Sequence, residues 1–401
     1  MIVWIVNPFD ALPAEGHRPL RFWLMAEAFA RAGHDVVYWT ADVNHIAKRR
    51  RTPDADALAR SAAQGIRVEF VHEPPYSRNI GLRRLWAHWR WADNWAKAAA
   101  KSAPPGLIVA SSPPLSAAAK VLRFARGVGA KVVVDVMDAW PETFERIAPR
   151  WMLWPLRRIA RANYLGADAV TTVADNYAAL VAGYGRRRPA HRFYHGIDMS
   201  GPPPDLDRRT GDRMKIAYAG NLGSTYDLAT AIEAVGLMDG ATLAVAGKGA
   251  QESMLADAAR RFAGKVSFAG YLDEESLSRF LASADVGLVP MSPESCVGVP
   301  YKFADYSRAG LAIVSSLGGE SDMLLAKYGA GASYRAHDVR SLAAALRSLS
   351  PRLAEAKAAS RRMAEAEFDA TAIYDEYVGF VMAERSCAFS SPKTRKPTRL
   401  E

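Results

Sequence analysis

Short runs rich in Val and Ile alternate with amphipathic stretches along most of this chain, and the alternation starts over part-way through. Such a rhythm specifies parallel sheets covered by helices. In the first pass the strand segments are IVWIV, DVVYWT, IRVEF, GLIVA, KVVVDV and AVTTV. In the second they are MKIAYAG, ATLAVAG, KVSFAG, DVGLVP and LAIVSS. Between the passes lies DMSGPPPDLDRRTGDR, Asp198 to Arg213, rich in Pro, Gly and charge and poor in large apolar residues. That composition marks a linker. The expectation is therefore an α/β protein of two doubly wound domains, residues 1–198 and 214–370, joined through 199–213 and facing each other across a cleft. A further helix is expected over TAIYDEYVGFVMAER, Thr371 to Arg385, followed by a basic disordered tail over 386–401.

Half of the 401 residues are apolar, enough for two cores. No apolar segment reaches the ~18 residues that span a bilayer. The opening MIVWIVNPFD has no basic flank and reads as a first strand rather than a signal peptide. Two cysteines, Cys296 and Cys387, give no disulfide framework, which points to a reducing cytoplasm. The net charge of +10 favours anionic partners. Its triplets, Arg49 to Arg51 and Arg186 to Arg188, and the tail SPKTRKPTRL read as solvated loops. No nucleic-acid-binding motif accompanies the charge, so nucleic acid is not an expected partner. Eight scattered histidines form no zinc spacing, and no Ser/His/Asp or Cys/His order offers a nucleophile.

Open parallel sheets bind ligands beyond the carboxyl ends of their strands, so the loops at those ends carry the chemistry. After the first strand, NPFDALPAEGHRPLRF places Gly16 and Arg18 just before a helix, where free N–H groups favour an anion. A lone glycine there serves an ordinary surface loop equally well. In the second half, MKIAYAG runs into GNLGSTYDL, with Gly220, Asn221 and Gly223 at the corner. The next strand ends at AGKG, with Gly247, Lys248 and Gly249. Two such corners in one sheet suit phosphate, although glycine also occupies corners for steric reasons. Further on, Pro300 suits a helix start, and Lys302 and Asp305 share a face at i and i+3. They form either an exposed ion pair or a site in which the lysine meets a diphosphate and the carboxylate meets ribose.

The ordered set AGNLG, AGKG, FAGYL, VPMSPES and GVPYKFADYSRAGLAIVSS resembles the donor-binding half of family 4 glycosyltransferases. The segments NPFDALPAEGHRPLRFWLMAEAFARAGHDVVYWTAD and DVMDAWPE are similar to the first half of bacterial members that build surface polysaccharides. The resemblance implies the glycosyltransferase B architecture, two Rossmann-like domains about a cleft, with the last helix crossing back to the first domain. It implies transfer of a sugar from a nucleotide-sugar donor to a saccharide acceptor, with retention of configuration, no cofactor and no bound metal. By the same resemblance Lys302 binds the diphosphate, Asp305 the ribose, and Gly16 leaves room for the donor. Asp138 then faces the reacting sugar or acceptor hydroxyl, and Tyr271 and Leu272 lie beside the base. This chain departs from the pattern. Val297 stands where the first of two glutamates is usual, with Glu294 in the same loop as a substitute. The GNLGSTYDL corner lacks the usual arginine and lysine, which throws phosphate neutralisation onto Lys302 with Lys248 or Arg18. His195 replaces an asparagine and is expected at a hinge. A nucleotide-sugar epimerase or hydrolase of the same architecture, or a non-catalytic binding protein, remains as an alternative.

LRRLWAHWRWADNWAKAAAK and RWMLWPLRRIARANYL mix tryptophans with Lys and Arg, as helices at a membrane interface do. Trp91 and Trp95 share one helical face and Trp86 and Trp89 another, so at least one pair belongs to the core. The expectation is peripheral attachment to the anionic inner face of the cell membrane and an acceptor linked to polyprenyl diphosphate.

Overall fold

Two all-parallel sheets organise the computed structural model, which describes residues 1–77, 81–200, 213–292 and 295–387. Most of the expected linker, Glu294 and the tail from 388 onward lie outside the described residues. The first sheet runs Ile66–Val71, Asp35–Ala41, Ile2–Val6, Leu107–Ser112, Lys131–Val136, Ala169–Thr172, His191–Arg192. The second runs Val266–Phe268, Ala241–Ala246, Met214–Ala219, Val286–Val289, Ala312–Ser315, Gly331–Ser333. In both, the chain starts in the middle, winds to one edge, and returns to the other side of its first strand. Each sheet therefore has a switch point where two loops part and leave a crevice.

The central strand Ile2–Val6 shows why the apolar runs were legible. Helices cover both faces of a parallel sheet, so successive residues Val3, Trp4, Ile5 and Val6 are all fully buried. Val3 and Ile5 face Phe22, Phe29 and the last helix, while Trp4 and Val6 face Trp39, Trp95 and the Leu115–Val128 helix. The elements that periodicity missed are short and carry few apolar residues: the edge strands His191–Arg192 and Gly331–Ser333, and a hairpin of Val43–Asn44 with Arg49–Arg50.

The last helix spans Ala370–Cys387, longer at both ends than expected. Tyr374, Tyr377, Val378 and Val381 pack it against the helix Arg21–Arg31 of the first half. Here the two chain crossings are joined: Ile197 N donates to Phe368 O at 2.8 Å and Ala370 N to Ile197 O at 3.0 Å. Gly196 permits this approach, since a Cβ there would lie 2.7 Å from the Tyr374 ring and 2.8 Å from Ala370 Cα.

Neither arginine triplet is simply a solvated loop. Arg51 is buried, pairs with Glu15, and donates to Ala41 O and Asp10 O. Arg186 is buried and donates to the carbonyls of Tyr164 and Ala167. In each case the interior side chain satisfies carbonyls that strand and helix ends leave unpaired. The tryptophans divide as their spacing requires: Trp91 and Trp95 are in the core, and Trp86 and Trp89 are exposed.

Candidate active site

The helix Tyr301–Arg308 points its first turn into the crevice between the two sheets, with Pro300 at its N-cap. Asp305 does not pair with Lys302. Instead both Asp305 oxygens accept from the Arg18 guanidinium of the opposite half, one bond measuring 3.1 Å. Burial opposes the Arg18 charge, but the Asp305 carboxylate outweighs it and raises the arginine's pKa. The i, i+3 spacing was thus a poor guide, because a guanidinium with two parallel donors is the better partner for a carboxylate.

Lys302 is left beside two aromatic rings. Its Nζ lies 5.1 Å from the Tyr218 ring centre and 4.8 Å from that of Tyr226, and it makes no ion pair among the described residues. Burial, with Arg18 adding repulsion against the pull of Asp305, lowers its pKa to about 8. Gly220 makes room for it: at φ +141°, a Cβ would sit 2.3 Å from Nζ.

Two cavities are lined from this helix, one by Asp305 and one by Lys302. One, of about 590 Å³, is lined by Gly16, Arg18, Tyr271, Leu272 and Asp305. The other, of about 460 Å³, is lined by Asn7, Asp10, Asp138, His195, Tyr301 and Lys302. Its wall also includes Val297, so an apolar side chain occupies the place where the family pattern has a carboxylate. Glu294, expected as the substitute, is outside the described residues.

Asp138 is fixed by its own loop. It accepts from Ala139 N at 2.9 Å, Trp140 Nε1 at 3.2 Å and Thr143 Oγ1 at 3.3 Å. Burial still raises its pKa, against the help of those donors. His195 stacks on Tyr301 at 3.7 Å between centroids, joining the crossing segment to the second half, and burial keeps the imidazole neutral. Arg21 is fully buried with Asp135, both bonds at 2.8 Å, and also donates to Phe193 O and Tyr194 O. That ties the cleft helix to the sheet and to the hinge.

The remaining candidates are not drawn into either cavity. Asn221 and Gly223 lie beyond the Gly220 corner, outside both linings. A Cβ on Gly247 would lie 1.8 Å from Gly220 O, so this corner packs directly on its neighbour. Close backbone packing requires a glycine at this position. Lys248 is exposed, its Nζ 5.0 Å from the Tyr271 ring at the cavity rim. Residues missed from the sequence are Asn7, Asp10 and Tyr301. Asn7 and Asp10 are buried, and burial, against the help of Asn7, pushes the Asp10 carboxyl up to about 6. The NPFD segment at the carboxyl end of the first strand was the available signal.

No cluster of three or more His, Cys, Asp or Glu residues suited to a metal occurs among the described residues. No described helix is long and apolar enough to cross a membrane.

Two family models match the chain: residues 20–195 match a glycosyl transferase 4-like domain, and residues 213–351 match the glycosyl transferases group 1 domain. The chain belongs to the family 4 glycosyltransferases. A glycogen synthase of Mycobacterium tuberculosis is 31% identical over 217 residues, 51% of this chain and 50% of that enzyme. The match thus spans about half the length of the curated relative. Among solved structures, a sucrose-phosphate synthase from Thermosynechococcus elongatus has a TM-score of 0.74 at 14% identity, covering 96% of this chain and 99% of that one. Anabaena HepE in complex with UDP and glucose has a TM-score of 0.67 at 14% identity, covering 96% and 100%. These likenesses show the glycosyltransferase B fold that the two sheets and their cleft already display.

Proposed function

We propose that this family 4 glycosyltransferase moves a sugar from a nucleoside-diphosphate sugar to a saccharide acceptor, with retention of anomeric configuration. The observation that carries the reading is Lys302, a buried ammonium in no ion pair among the described residues, on the wall of one cavity and one helical turn from Asp305 on the wall of the other. The cavity at Tyr271 and Asp305 suits a nucleoside, and the one at Asn7, Asp10 and Asp138 suits a sugar with its hydroxyls. A diphosphate between them would lie against Lys302. Cleavage of the glycosyl–phosphate bond leaves negative charge on that diphosphate, and a preorganised ammonium stabilises it without rearrangement. An oxygen of the departing phosphate takes the proton of an acceptor hydroxyl that approaches the same face of the sugar, so the new glycosidic bond forms where the glycosyl–phosphate bond breaks and configuration is retained. In this reading Lys302, with Arg18, does what a divalent ion does elsewhere. That HepE was crystallised with UDP and glucose supports uridine as the first base to try.

The acceptor is a lipid-linked saccharide of surface-polysaccharide assembly, met at the inner membrane face. Exposed Trp86, Trp89, Trp151 and Trp154 on the first half support this. A thermal-shift screen of UDP-, GDP- and dTDP-sugars tests the donor, since a ligand of the folded state raises its melting temperature. The nucleotide sugar that stabilises should then be consumed only with acceptor present, and in excess EDTA. Consumption without any acceptor would favour the epimerase or hydrolase reading. Binding without consumption over a panel of acceptors would favour a binding protein, for which Val297 is the motive.

A further inference from the structure

Five rings gather beside the sugar cavity in the first half, and two cations lie on them. Phe9 sits 4.9 Å from His45 and 5.1 Å from His88, centre to centre. Tyr76 is 5.8 Å from His88, and His88 is 6.0 Å from Trp140. The Arg84 guanidinium lies over Phe9 at 5.5 Å and over Trp140 at 5.1 Å, its Nε donating to His88 Nε2 at 3.3 Å. Lys48 Nζ lies over the Tyr76 ring at 4.8 Å. Cation–ring contacts hold both charges in place without neutralising them.

Lys48 is itself unusual. It lies in the left-handed region, φ +55°, just before the Arg49–Arg50 strand of the short hairpin. That hairpin is anchored by Asn44 Nδ2 to Glu15 and by Arg51 to Glu15, the residue before Gly16. A non-glycine residue kept in this region by a braced turn is a mark of functional sites. The two cations also repel: burial first, then the Arg84 charge, lowers the Lys48 pKa to about 8. Glu73 is the described carboxylate that acts on both, with Asp138 acting on Arg84 as well; Glu73 is 1% exposed, with neither oxygen hydrogen-bonded among the described residues. Burial pushes it up to about 8, so at neutral pH it is largely uncharged and leaves the pair positive. His45 and His88 are also neutral, pushed down by burial to about 3 and about 2.

The position of this pair gives it a role. Phe9 lines the sugar cavity, and Trp140 donates to Asp138, which lines it as well. On its outer side the helix that carries Arg84, Leu82–Ala99, exposes Leu82, Trp86 and Trp89. Arg84 thus sits over rings at the cavity wall, Phe9 and Trp140, on a helix that exposes apolar side chains elsewhere. We propose that Lys48 and Arg84 form an anion subsite for the acceptor, binding a phosphate or diphosphate group whose saccharide enters the cleft at Asp138. This rests on the transferase reading for the word acceptor, though not for the anion. The phosphate can come from a soluble sugar phosphate or from a lipid-linked diphosphate, and the chemistry of the pair is the same for both.

The test uses inorganic pyrophosphate and calorimetric titration at low salt. In a Lys302→Ala background, which removes the leaving-group site, the protein should still bind pyrophosphate. Adding Lys48→Ala or Arg84→Gln should weaken that binding tenfold or more, with circular dichroism unchanged. Lys48→Ala alone decides the matter if Arg84→Gln fails to fold, since Lys48 is on a short hairpin at the surface. Pyrophosphate affinity in the Lys302→Ala protein that neither further change lowers would overturn the proposal. Competition by a hexose 6-phosphate identifies the soluble source, and competition confined to a short-chain prenyl-diphosphate hexose identifies the lipid source. Nucleotide-sugar binding, followed separately by thermal shift, should persist in Lys48→Ala. Its absence from the unmutated protein would count against the transferase reading and leave the anion subsite standing.

Discussion

Arg18 and Asp305, 287 residues apart, close on one another across the cleft and so join its two walls at the lining of the 590 Å³ cavity. A ribose that hydrogen-bonds to Asp305 has to share or displace this guanidinium, so the pair couples donor binding to the spacing of the two halves. Asp305→Ala should weaken donor binding about tenfold or more, as expected when a charged hydrogen-bond partner worth about 1.5–3 kcal/mol is lost. Its effect on kcat should be smaller. Arg18→Ala should add little to Asp305→Ala in a double-mutant cycle, because the two residues are in contact. A kcat loss larger than the affinity loss in Asp305→Ala would assign that residue to the chemistry instead.

Lys302 has a pH signature. Its pKa is lowered to about 8, so the free protein loses this charge as pH rises through 8. A bound diphosphate restores it. The donor kcat/KM, which reports the free enzyme, should therefore fall above pH 8, with kcat falling later. Lys302→Ala should fold normally and lose about 10²-fold in turnover, the scale of one preorganised donor. Full turnover in a folded Lys302→Ala protein would return the residue to a packing role.

Gly220→Ala tests the same charge from the side. The new Cβ would lie 2.3 Å from the Lys302 ammonium, at a φ of +141° that L-residues rarely adopt. The strain should cost about 1–3 kcal/mol of stability, and the displaced ammonium should lower turnover about as far as Lys302→Ala does. Loss of stability with turnover intact would show that Lys302 reaches the leaving group by another path.

Arg21 carries a structural prediction. It lies with Asp135 in a fully buried pair and donates to the carbonyls of Phe193 and Tyr194, just after the His191–Arg192 strand. Arg21→Ala strands the Asp135 carboxylate in the interior and should cost about 3–5 kcal/mol. Urea unfolding read by tryptophan fluorescence checks this. A change below about 1 kcal/mol would mean that water reaches the site.

The fold was legible because strands covered on both faces read as unbroken apolar runs, as Ile2–Val6 does, and because a Pro- and Gly-rich break separates the two passes. His191–Arg192 and Gly331–Ser333 were not legible, since edge strands of two or three residues leave no period to read. At the site, spacing along a helix put Lys302 and Asp305 on one face, yet the partner of Asp305 comes from the other half of the chain. Likewise nothing local to Arg49–Arg51 shows that Arg51 is interior, because Glu15 and the Asp10 carbonyl reach it through the fold. Glycines at 220 and 247 looked alike in sequence. One accommodates Lys302 and the other only its neighbour's carbonyl, a difference of tertiary contact.

The exposed face of the first half carries the last prediction. Trp86 is 53% exposed and Trp151 74% exposed, and Leu82, Trp89, Met152 and Trp154 accompany them on the helix Leu82–Ala99 and on the turn that leads into the helix Trp154–Gly166. A small cavity lined by Trp89, Leu156 and Ile159 lies where the two helices approach one another. Large apolar side chains gathered this way favour a lipid interface, where rings enter the headgroup layer and neighbouring cations meet anionic lipid. Of the basic residues on the first helix, Arg83 and Arg90 are exposed, whereas Arg84 turns inward over Phe9 and Trp140. Arg84 therefore belongs to the cleft and is excluded from the membrane test. Each cation near an anionic surface contributes about 1 kcal/mol through a screened potential. Arg83→Ser with Arg90→Ser should thus weaken binding to phosphatidylglycerol vesicles about tenfold or more and flatten its salt dependence. Trp86→Ser with Trp89→Ser should weaken binding without changing that dependence, since it removes insertion rather than charge. Both pairs should keep nucleotide-sugar affinity in a thermal-shift assay. Co-sedimentation that shows no association with such vesicles at low salt, together with full activity on a soluble acceptor, would remove the membrane from this protein's function.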